Sequence, residues 1–302
     1  MRVLLVYNPQ ARLARRAPME AIETELRRLG AEVEAVRAPN GHAGRAVAES
    51  AAVRGFERVI VAGGDGTVNA VLASLAGTQV VLAVIPLGTG NVLAQEIGLR
   101  PGDWRTGCRV ALAPATTAMD LGRANGRFFA AMLGVGLDAR IVDDLADRHK
   151  TNYGRGAFAV QFLRSLCRSR PVLFHLDVDG EAIEHRAWAV VVSNTPRYAW
   201  RLHLCPGANP FDGRLDLLII RPISRLRVLA EVGICFITSR GPIPSGLGRH
   251  LFSRARIEAS PPVKWQVDGD LAGETPLEVE VVPAALQVAV CTTGPLSRLA
   301  QP

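Results

Sequence analysis

The sequence predicts an α/β protein with a doubly wound parallel sheet in its first part and an antiparallel β-sandwich in its second. Strand-like and helix-like patterns alternate up to about Leu121, whereas short apolar or alternating runs punctuated by Asp-Gly and Pro follow it. At 302 residues the chain is long enough for two cores. We therefore expect a first domain at residues 1–121, a second at 122–289, and a final segment, 290–302, that packs back onto the first domain.

The elements of the first domain are predicted in order from hydrophobic periodicity. Strands are predicted in the runs "RVLLVYN", "AEVEAVRA", "RVIVAGG" and "VVLAVIPLG". Helices are predicted in "PMEAIETELRRLG", "AGRAVAESAAVRG" and "TVNAVLASLAG", with Gly30 capping the first helix and Gly55 ending the second. Strand–helix–strand repetition of this kind favours a parallel sheet with helices on both faces.

The second half of the chain has the pattern of antiparallel strands. Its apolar or alternating runs are "RFFAAMLGVGLDARIV", "PVLFHLDVDGEAIEH", "RAWAVVVSNTP", "GRLDLLIIRP", "SRARIEAS", "VKWQVDGD" and "TPLEVEVVPAALQVAV". Asp-Gly and Pro turns between such runs are typical of hairpins, and the number of runs favours a sandwich. Helical patterns interrupt the strands at residues 156–169 and 224–238.

Composition and charge exclude several classes of protein. The five cysteines have no metal-binding spacing, and an odd, unpatterned set indicates reduced thiols in a cytoplasm. No apolar run approaches the ~18–20 residues of a membrane span, and the short apolar start does not fit a secretion signal. The net charge is +7, but the arginines are spread along the chain and aromatic residues make up only 5%, which disfavours a nucleic-acid partner. Adhesion to an anionic membrane surface stays open.

A glycine-rich loop follows the third predicted strand, in "GGDGTVN". Gly63 and Gly64 allow close approach of the backbone to a ligand, and backbone N–H groups before a helix favour an anion. The pattern is neither the dinucleotide fingerprint nor the Walker loop. The alternative is a strand-to-helix turn capped by Asp65 or Thr67.

A second glycine-rich loop, "PLGTGN", follows the next strand. Taken alone, it is an ordinary turn with Asn91 as the N-cap of a helix. However, ligands of doubly wound sheets bind at the carboxyl ends of the strands. Asn8-Pro9 and both glycine loops lie at such ends, so we expect them to share one crevice.

Six segments in order carry a family resemblance: "NP", "GGDGTVN", "PLGTGN", "MDLGRANGRFF", "PFDGRLDL" and "WQVDGD". They resemble the diacylglycerol kinase catalytic-domain family, which includes bacterial soluble lipid kinases and sphingosine kinases and is related in fold to NAD kinases and phosphofructokinases. The resemblance covers nearly the whole chain. It implies a nucleotide-binding first domain and a lipid-binding second domain, with ATP and Mg²⁺ as cofactors and the hydroxyl of diacylglycerol or a related lipid as phosphate acceptor.

The resemblance also implies roles for individual residues. Asp65 lies at the reacting end of the ATP phosphates, and Asp120 joins an acid–water–Mg²⁺ network. A structural Mg²⁺ maps onto Asp212 and, through backbone carbonyls, onto Asn209 and Arg214; oxygen ligands of this kind suit a hard cation. The implied nucleotide-binding residues are Asn8, Gly63, Gly64, Asp65, Gly66, Thr67, Asn69, Thr89 and Asn91.

The implied catalytic base is Asp270, in "VDGD", where the family has glutamate. Aspartate shortens the arm by one methylene, about 1.5 Å of reach for a group that must come within hydrogen-bond distance of the hydroxyl. The alternative is a plain Asp-Gly hairpin turn. Val92 also stands where the family often has an acid, and "NPQARLARR" lacks the family's glycine, so contacts with the adenine are less well defined than those with the phosphates.

Two other functions stay open at this point. One is a kinase for another hydroxyl, a sphingoid base or NAD; the other is a nucleotide-binding regulatory module in which Asp270 has lost its role. Hydrolase chemistry has little support, because the chain has no GxSxG elbow and no Ser-His-Asp order. For partners we expect a lipid substrate, peripheral contact with an anionic membrane surface and no nucleic acid, with a homodimer as an open alternative.

Overall fold

The computed structural model of the protein describes residues 1–146, 164–166, 168–199, 202–222, 224, 227, 247–292 and 294–295. These residues form two compact units. The first contains Met1–Leu121, Pro210–Gly213 and the described part of Val282–Pro302. The second contains the described parts of Gly122–Asn209 and Arg214–Val281. The predicted boundaries place Pro210–Gly213 and residues 282–289 in the second domain, whereas in the structure both segments belong to the first unit.

The first unit alternates strands and helices. Its elements are β1 (Arg2–Tyr7), a 3₁₀ helix (Ala14–Arg16), α1 (Met19–Arg28), β2 (Glu32–Arg37), α2 (Gly41–Ala48), β3 (Arg58–Gly63), α3 (Asp65–Leu75), β4 (Val81–Pro86), α4 (Val92–Ile97), α5 (Trp104–Leu112) and most of β5 (Thr116–Ala124). The sheet order is β2-β1-β3-β4, with every neighbouring pair parallel. The predicted parallel sheet is confirmed.

Helices cover both faces of this sheet. On one face, Leu5 of β1 and Ile60 of β3 pack in one core with Leu26 of α1. On the other face, α2 packs through Gly44 against Val6 of β1 and α3. Because both faces are covered, β1 and β3 are buried from their second residue onward, and after an initial arginine each reads as a continuous apolar run.

Two helices of the first unit differ from the prediction. The helix predicted to end at Gly55 ends at Ala48, because the chain then tightens into i→i−3 bonds, such as Ala51 N–H to Ala48 O at 3.0 Å. Gly55 is left-handed, with φ +72°. The other difference is α5, which the sequence analysis does not predict. Asp103 caps this helix by accepting the Thr106 N–H at 3.2 Å.

The second unit is built mainly from antiparallel strands. Its elements are the end of β5, β6 (Arg127–Phe129), β7 (Met132–Gly136), α6 (Leu137–Ala146), β8 (Val172–Val178), β9 (Glu181–Ala187), β10 (Ala189–Ser193), β11 (Arg197–Ala199), β12 (Leu202–His203), β13 (Leu215–Ile220), β14 (Leu247–Phe252), β15 (Arg254–Ser260), β16 (Lys264–Val267), β17 (Asp270–Glu274) and the first part of β18 (Leu277–Ala289). The later part of β18 belongs to the first unit, where Val288 pairs with Leu82 of β4.

Two sheets of the second unit enclose one core. One has the order β14-β13-β10-β7-β16-β17; in the other, β15 lies between β18 and β8, and β8 pairs with β9. Val190 and Trp265 of the first sheet pack in one cluster with Phe174 and Ile257 of the second. The predicted sandwich is confirmed. The helical patterns predicted at 156–169 and 224–238 lie for the most part outside the described residues.

Candidate functional site

Three strand ends of the first unit meet in one polar cluster. Asn8 follows β1, and its Nδ2 donates at 2.8 Å to Oγ1 of Thr67, in the first turn of α3, which begins just after β3. Leu87, after β4, donates its N–H to Gly63 O at 2.9 Å. The structure therefore brings together the three strand ends that the sequence analysis places in one crevice.

Asp65 connects the two glycine loops. Its Oδ2 accepts the Asn91 N–H and its Oδ1 accepts the Val92 N–H, both at 2.7 Å. A Cβ at Gly90 would lie 2.6 Å from Asp65 Oδ2, and a Cβ at Gly88 would lie 2.6 Å from the Gly64 Cα. The glycines in "PLGTGN" thus make room for the opposite loop, and a side chain at either position would push the loops apart.

Asn91 has a different role from the helix cap of the simpler interpretation. It precedes α4 in a left-handed conformation, with φ +49°, but its side chain makes no capping bond to that helix. Instead, Nδ2 donates to Gly88 O at 2.7 Å and Oδ1 accepts the Gly88 N–H at 3.2 Å. Asn91 is 2% exposed, so it fixes its own loop from inside.

The other predicted phosphate-binding residues surround the start of α3. Gly66 is exposed and Asn69 half-buried in the first turns of that helix, and Thr89 is exposed at the tip of the second loop. Backbone N–H groups at a helix N-terminus carry a partial positive charge, which favours an anion. The arrangement can therefore bind a phosphate group with backbone amides and side-chain hydroxyl and amide groups.

Asp120, in β5, holds the turn of "PFDGRL". Its N–H donates to Pro210 O at 2.8 Å, and its Oδ2 accepts the Gly213 N–H at 2.8 Å. The second carboxylate oxygen accepts the Ala284 N–H of β18 at 2.7 Å. Asp120 is 4% exposed, so it anchors the turn and the strand from a buried position. Gly213, at φ +69°, supplies the left-handed residue that this turn needs.

The predicted metal ligands Asn209, Asp212 and Arg214 follow one another around this turn. Asn209 Oδ1 is buried and has no hydrogen-bond partner among the described residues. The described ranges contain no group of three or more His, Cys, Asp and Glu side chains that could hold a metal. A cation at the turn would therefore depend on amide and backbone oxygens together with Asp212. Oxygen donors of this kind fit Mg²⁺.

Asp270 directly follows a two-residue hairpin turn in the second unit. Val267 of β16 pairs with Asp270 of β17, and the turn residues Asp268 and Gly269 have φ +47° and +93°, as a type I′ turn requires. The Asp270 side chain is exposed, yet desolvation by the surrounding protein raises its pKa, while the positive charge of Arg127 opposes this rise. A carboxylate with a raised pKa is a stronger base, which suits proton abstraction.

Asp268 fixes this turn, a role that the sequence analysis did not assign. Its carboxylate accepts three backbone N–H groups, from Ala130 at 2.7 Å, Ala131 at 3.0 Å and Met132 at 2.8 Å. Its own N–H donates to Met132 O at 2.9 Å. The sequence signal was the Asp-Gly pair itself, but the partners lie more than 130 residues earlier and no local pattern reveals them.

Comparisons with known proteins show which family the chain belongs to. Residues 2–124 match the family model of the diacylglycerol kinase catalytic domain, and residues 131–290 match that of the YegS C-terminal NAD kinase beta sandwich-like domain. The diacylglycerol kinase of Mycobacterium tuberculosis (strain ATCC 25618 / H37Rv) is 32% identical over 269 residues, which cover 87% of this chain and 86% of that protein. The chain belongs to the diacylglycerol kinase catalytic-domain family.

Two further members of the family are similar over most of the chain. The diacylglycerol kinase of Bacillus subtilis (strain 168) is 27% identical over 238 residues, covering 76% of this chain and 77% of that protein. A crystal structure of a diacylglycerol kinase from Bacillus anthracis str. Sterne has a TM-score of 0.77 at 20% identity, covering 96% of this chain and 97% of that one, which shows a shared fold. The family and its named members support a kinase-type enzyme. In the described part of the chain, no helix has both the length and the apolar character to span a bilayer.

Proposed function

We propose that the protein is an ATP-dependent lipid kinase that transfers the γ-phosphate of ATP to the hydroxyl of diacylglycerol or a related lipid. Membership of a family whose curated relatives are named diacylglycerol kinases carries the proposal. The geometry of the first unit supports it, because the N-terminus of α3, where backbone N–H groups favour an anion, lies beside two glycine loops that Asp65 joins.

The first unit would hold the nucleotide. The glycine loop after β3 and the start of α3 would contact the phosphates through Gly63, Gly64, Gly66, Thr67 and Asn69. Thr89 would contact them from the second loop. Asp65 keeps the two loops together through the amides of Asn91 and Val92, so its contribution to phosphate binding is largely through loop geometry.

The turn Asn209–Arg214 would bind Mg²⁺, with Asp212, the Asn209 oxygens and the Arg214 carbonyl as ligands. When bound, the cation supplies positive charge that offsets the charge of carboxylates and phosphates. Asp120 would hold the turn in the shape that binding requires, since it already fixes the Gly213 N–H.

Asp270 would act as the general base. Attack of the lipid hydroxyl oxygen on the γ-phosphorus forms the new P–O bond while the bond to the β-phosphate oxygen breaks, and ADP leaves. The hydroxyl proton passes to the Asp270 carboxylate. The raised pKa of that carboxylate supports this assignment.

We also propose that the protein contacts an anionic membrane surface through Arg12, Arg15 and Arg16, around the 3₁₀ helix. All three are exposed and make no ion pair among the described residues. A basic residue close to an anionic surface contributes about 1 kcal/mol. Replacing all three with alanine should therefore weaken binding to vesicles containing phosphatidylserine about 100-fold in a sedimentation assay.

The matched control for membrane binding replaces Arg27, Arg28 and Arg45, which are paired with Glu23, Glu25 and Glu49. That variant loses the same three formal positive charges. Each of them is already paired with a glutamate, so vesicle binding should change much less. Equal weakening in both variants would mean that net charge, and not the 3₁₀ segment, determines adhesion.

A lipid-panel assay with γ-labelled ATP tests the function. We expect Mg²⁺-dependent label in diacylglycerol presented in mixed micelles. Label in a sphingoid base or in NAD instead would identify a kinase for a different hydroxyl. If the protein binds ATP and labels none of these acceptors, the regulatory module is correct and the proposal is wrong.

A further inference from the structure

A chain of hydrogen bonds links the interior of the second unit to the turn before Asp270. The Tyr198 hydroxyl donates to Asp138 Oδ1. Gln266 Nε2 donates to Asp138 Oδ2 at 2.6 Å, and Gln266 Oε1 accepts the Gly269 N–H at 2.7 Å. Asp138 is 5% and Gln266 2% exposed. Two buried side chains therefore connect the backbone of the turn to α6 and β11.

Gly134 of β7 makes room for this connection. It lies opposite Gln266 in the β7–β16 pairing. A Cβ at this position would lie 1.6 Å from Asp138 Oδ2 and 2.9 Å from Gln266 Nε2. Gly134 is not among the glycines with positive φ, so the space it leaves, rather than its backbone conformation, explains why glycine stands here.

Asp138 determines which way the Gln266 amide points. An amide side chain has one accepting and one donating end, and an ionised carboxylate can only accept. The donating end of Gln266 therefore faces Asp138, and the accepting end faces the Gly269 N–H. Without an acceptor at position 138, the Gln266 side-chain amide is free to turn over. Its NH₂ group would then face the Gly269 N–H, and two donors cannot form a hydrogen bond.

The surroundings of Asp138 are consistent with an accepting carboxylate. Burial raises the pKa of Asp138 above the usual aspartate value, and the hydrogen bonds from Tyr198 and Gln266 and its place in the first turn of α6 oppose this rise without cancelling it. The geometry shows that Asp138 Oδ2 accepts, because Gln266 directs its NH₂ group to Asp138 once its carbonyl accepts the Gly269 N–H. Burial and the neighbouring Asp138 charge raise the pKa of Tyr198 well above its usual value. Tyr198 therefore stays protonated and remains a donor.

We propose that Asp138 and Gln266, supported by Tyr198, are positioning residues that set the Asp268–Gly269 turn and thereby the direction of the Asp270 carboxylate. Asp268 fixes one side of the turn through the amides of Ala130–Met132, and Gln266 fixes Gly269, the residue directly before Asp270. The inference rests on the proposed function, in which Asp270 is the base.

Amide hydrogen exchange tests the connection without any assay of activity. Asp138→Ala does not touch Gly269, yet it should raise the exchange rate of the Gly269 N–H roughly tenfold, because the amide that accepts this bond is no longer oriented. Asp138→Asn should largely restore protection, since its carbonyl can accept from Gln266 while the Tyr198 hydroxyl turns to accept from its NH₂ group. Unchanged exchange at Gly269 in Asp138→Ala would overturn the proposal.

Kinetics distinguish positioning from general loss of stability. Gln266→Leu and Asp138→Ala should lower kcat for lipid phosphorylation about 10- to 100-fold, with the KM for ATP changed less than about twofold, since the nucleotide loops are in the other unit. Trp265→Phe is the control: it alters a buried neighbour in the same strand whose Nε1 has no partner among the described residues, and should leave kcat nearly unchanged.

Tyr198→Phe removes only one hydroxyl and keeps the test usable if the other variants fold poorly. It should give a smaller loss of kcat in the same direction, together with a smaller rise in exchange at Gly269. If the wild type phosphorylates lipid and folded Tyr198→Phe and Asp138→Ala keep full kcat, the positioning role is wrong. If the wild type phosphorylates no lipid, the proposed function is wrong, and the exchange experiment still decides whether the turn is held through Asp138.

Discussion

Replacing Asp270 with asparagine should lower lipid phosphorylation at least about a hundredfold, because removal of a general base typically costs a factor of this size. The KM for ATP should stay close to that of the wild type. Steady-state kinetics with diacylglycerol micelles would measure both values. The exposed position of Asp270, beyond the turn that Asp268 fixes, means that the change removes no hydrogen bond on which the hairpin depends.

The pKa of Asp270 gives this prediction a second readout. Turnover by the wild type should rise with pH as the carboxyl group ionises and then level off, and the midpoint should lie above the usual aspartate value because the pKa is raised. A raised folded-state pKa also means that the stability contribution of this group is present at low pH and is lost as pH rises through the folded pKa. Asp270→Asn should therefore not lower the melting temperature at neutral pH.

Asp270→Glu is the matched control for the base. It keeps a carboxylate and restores the longer side chain that the family has at this position, so turnover should remain within about tenfold of the wild type. Full activity in Asp270→Asn would remove Asp270 from the mechanism. The regulatory-module alternative would gain support only from the separate outcome in which the wild type binds ATP and labels no lipid.

Replacing Asp65 with asparagine should affect both kcat and the KM for ATP. The Asp65 carboxylate accepts the amides of Asn91 and Val92, whereas an asparagine keeps one acceptor and directs an NH₂ group at the other donor. Loss of a hydrogen bond to a charged group costs about 1.5–3 kcal/mol. We expect the KM for ATP to rise and kcat to fall by at least about tenfold each, in line with that cost.

Glu49→Gln provides the comparison for Asp65→Asn. Glu49 is an exposed acid of the same unit, paired with Arg45, so this variant loses one negative charge without touching either loop. Its kinetics should match those of the wild type. If Asp65→Asn retains wild-type KM and kcat, the connection between the loops is not needed for nucleotide binding, and the second glycine loop has a structural role only.

The fold could be predicted from sequence where the signal is local. Continuous apolar strands separated by helices predicted the parallel sheet, and Asp-Gly turns between alternating runs predicted the sandwich. Helix α5 was missed because its cap, Asp103, precedes a segment with Gly107 in its interior, and glycine weakens a helical pattern. Gly107 is there because a Cβ would lie 3.3 Å from the Ile85 Cα of β4, which is a tertiary cause.

The candidate site could be predicted only in part for the same reason. The glycine loops and the Asp-Gly turns are short sequence patterns, so the sequence alone singles out residues such as Asp65 and Asp270 as candidates. The partners of these residues lie far away in sequence: Asp65 meets Val92, and Asp138 meets Gln266 across 128 positions. Packing of the sheets, and not any local pattern, brings such pairs together.

The discontinuous path of the first unit limits how the protein can be dissected. A fragment ending at Leu121 would lack the later part of β18, which pairs with β4, and would leave Asp120 without the Gly213 and Ala284 amides. An uncovered strand edge of this kind promotes aggregation. Expression of an isolated nucleotide-binding half would therefore require a fusion that grafts both missing segments back, for instance through a circularly permuted gene.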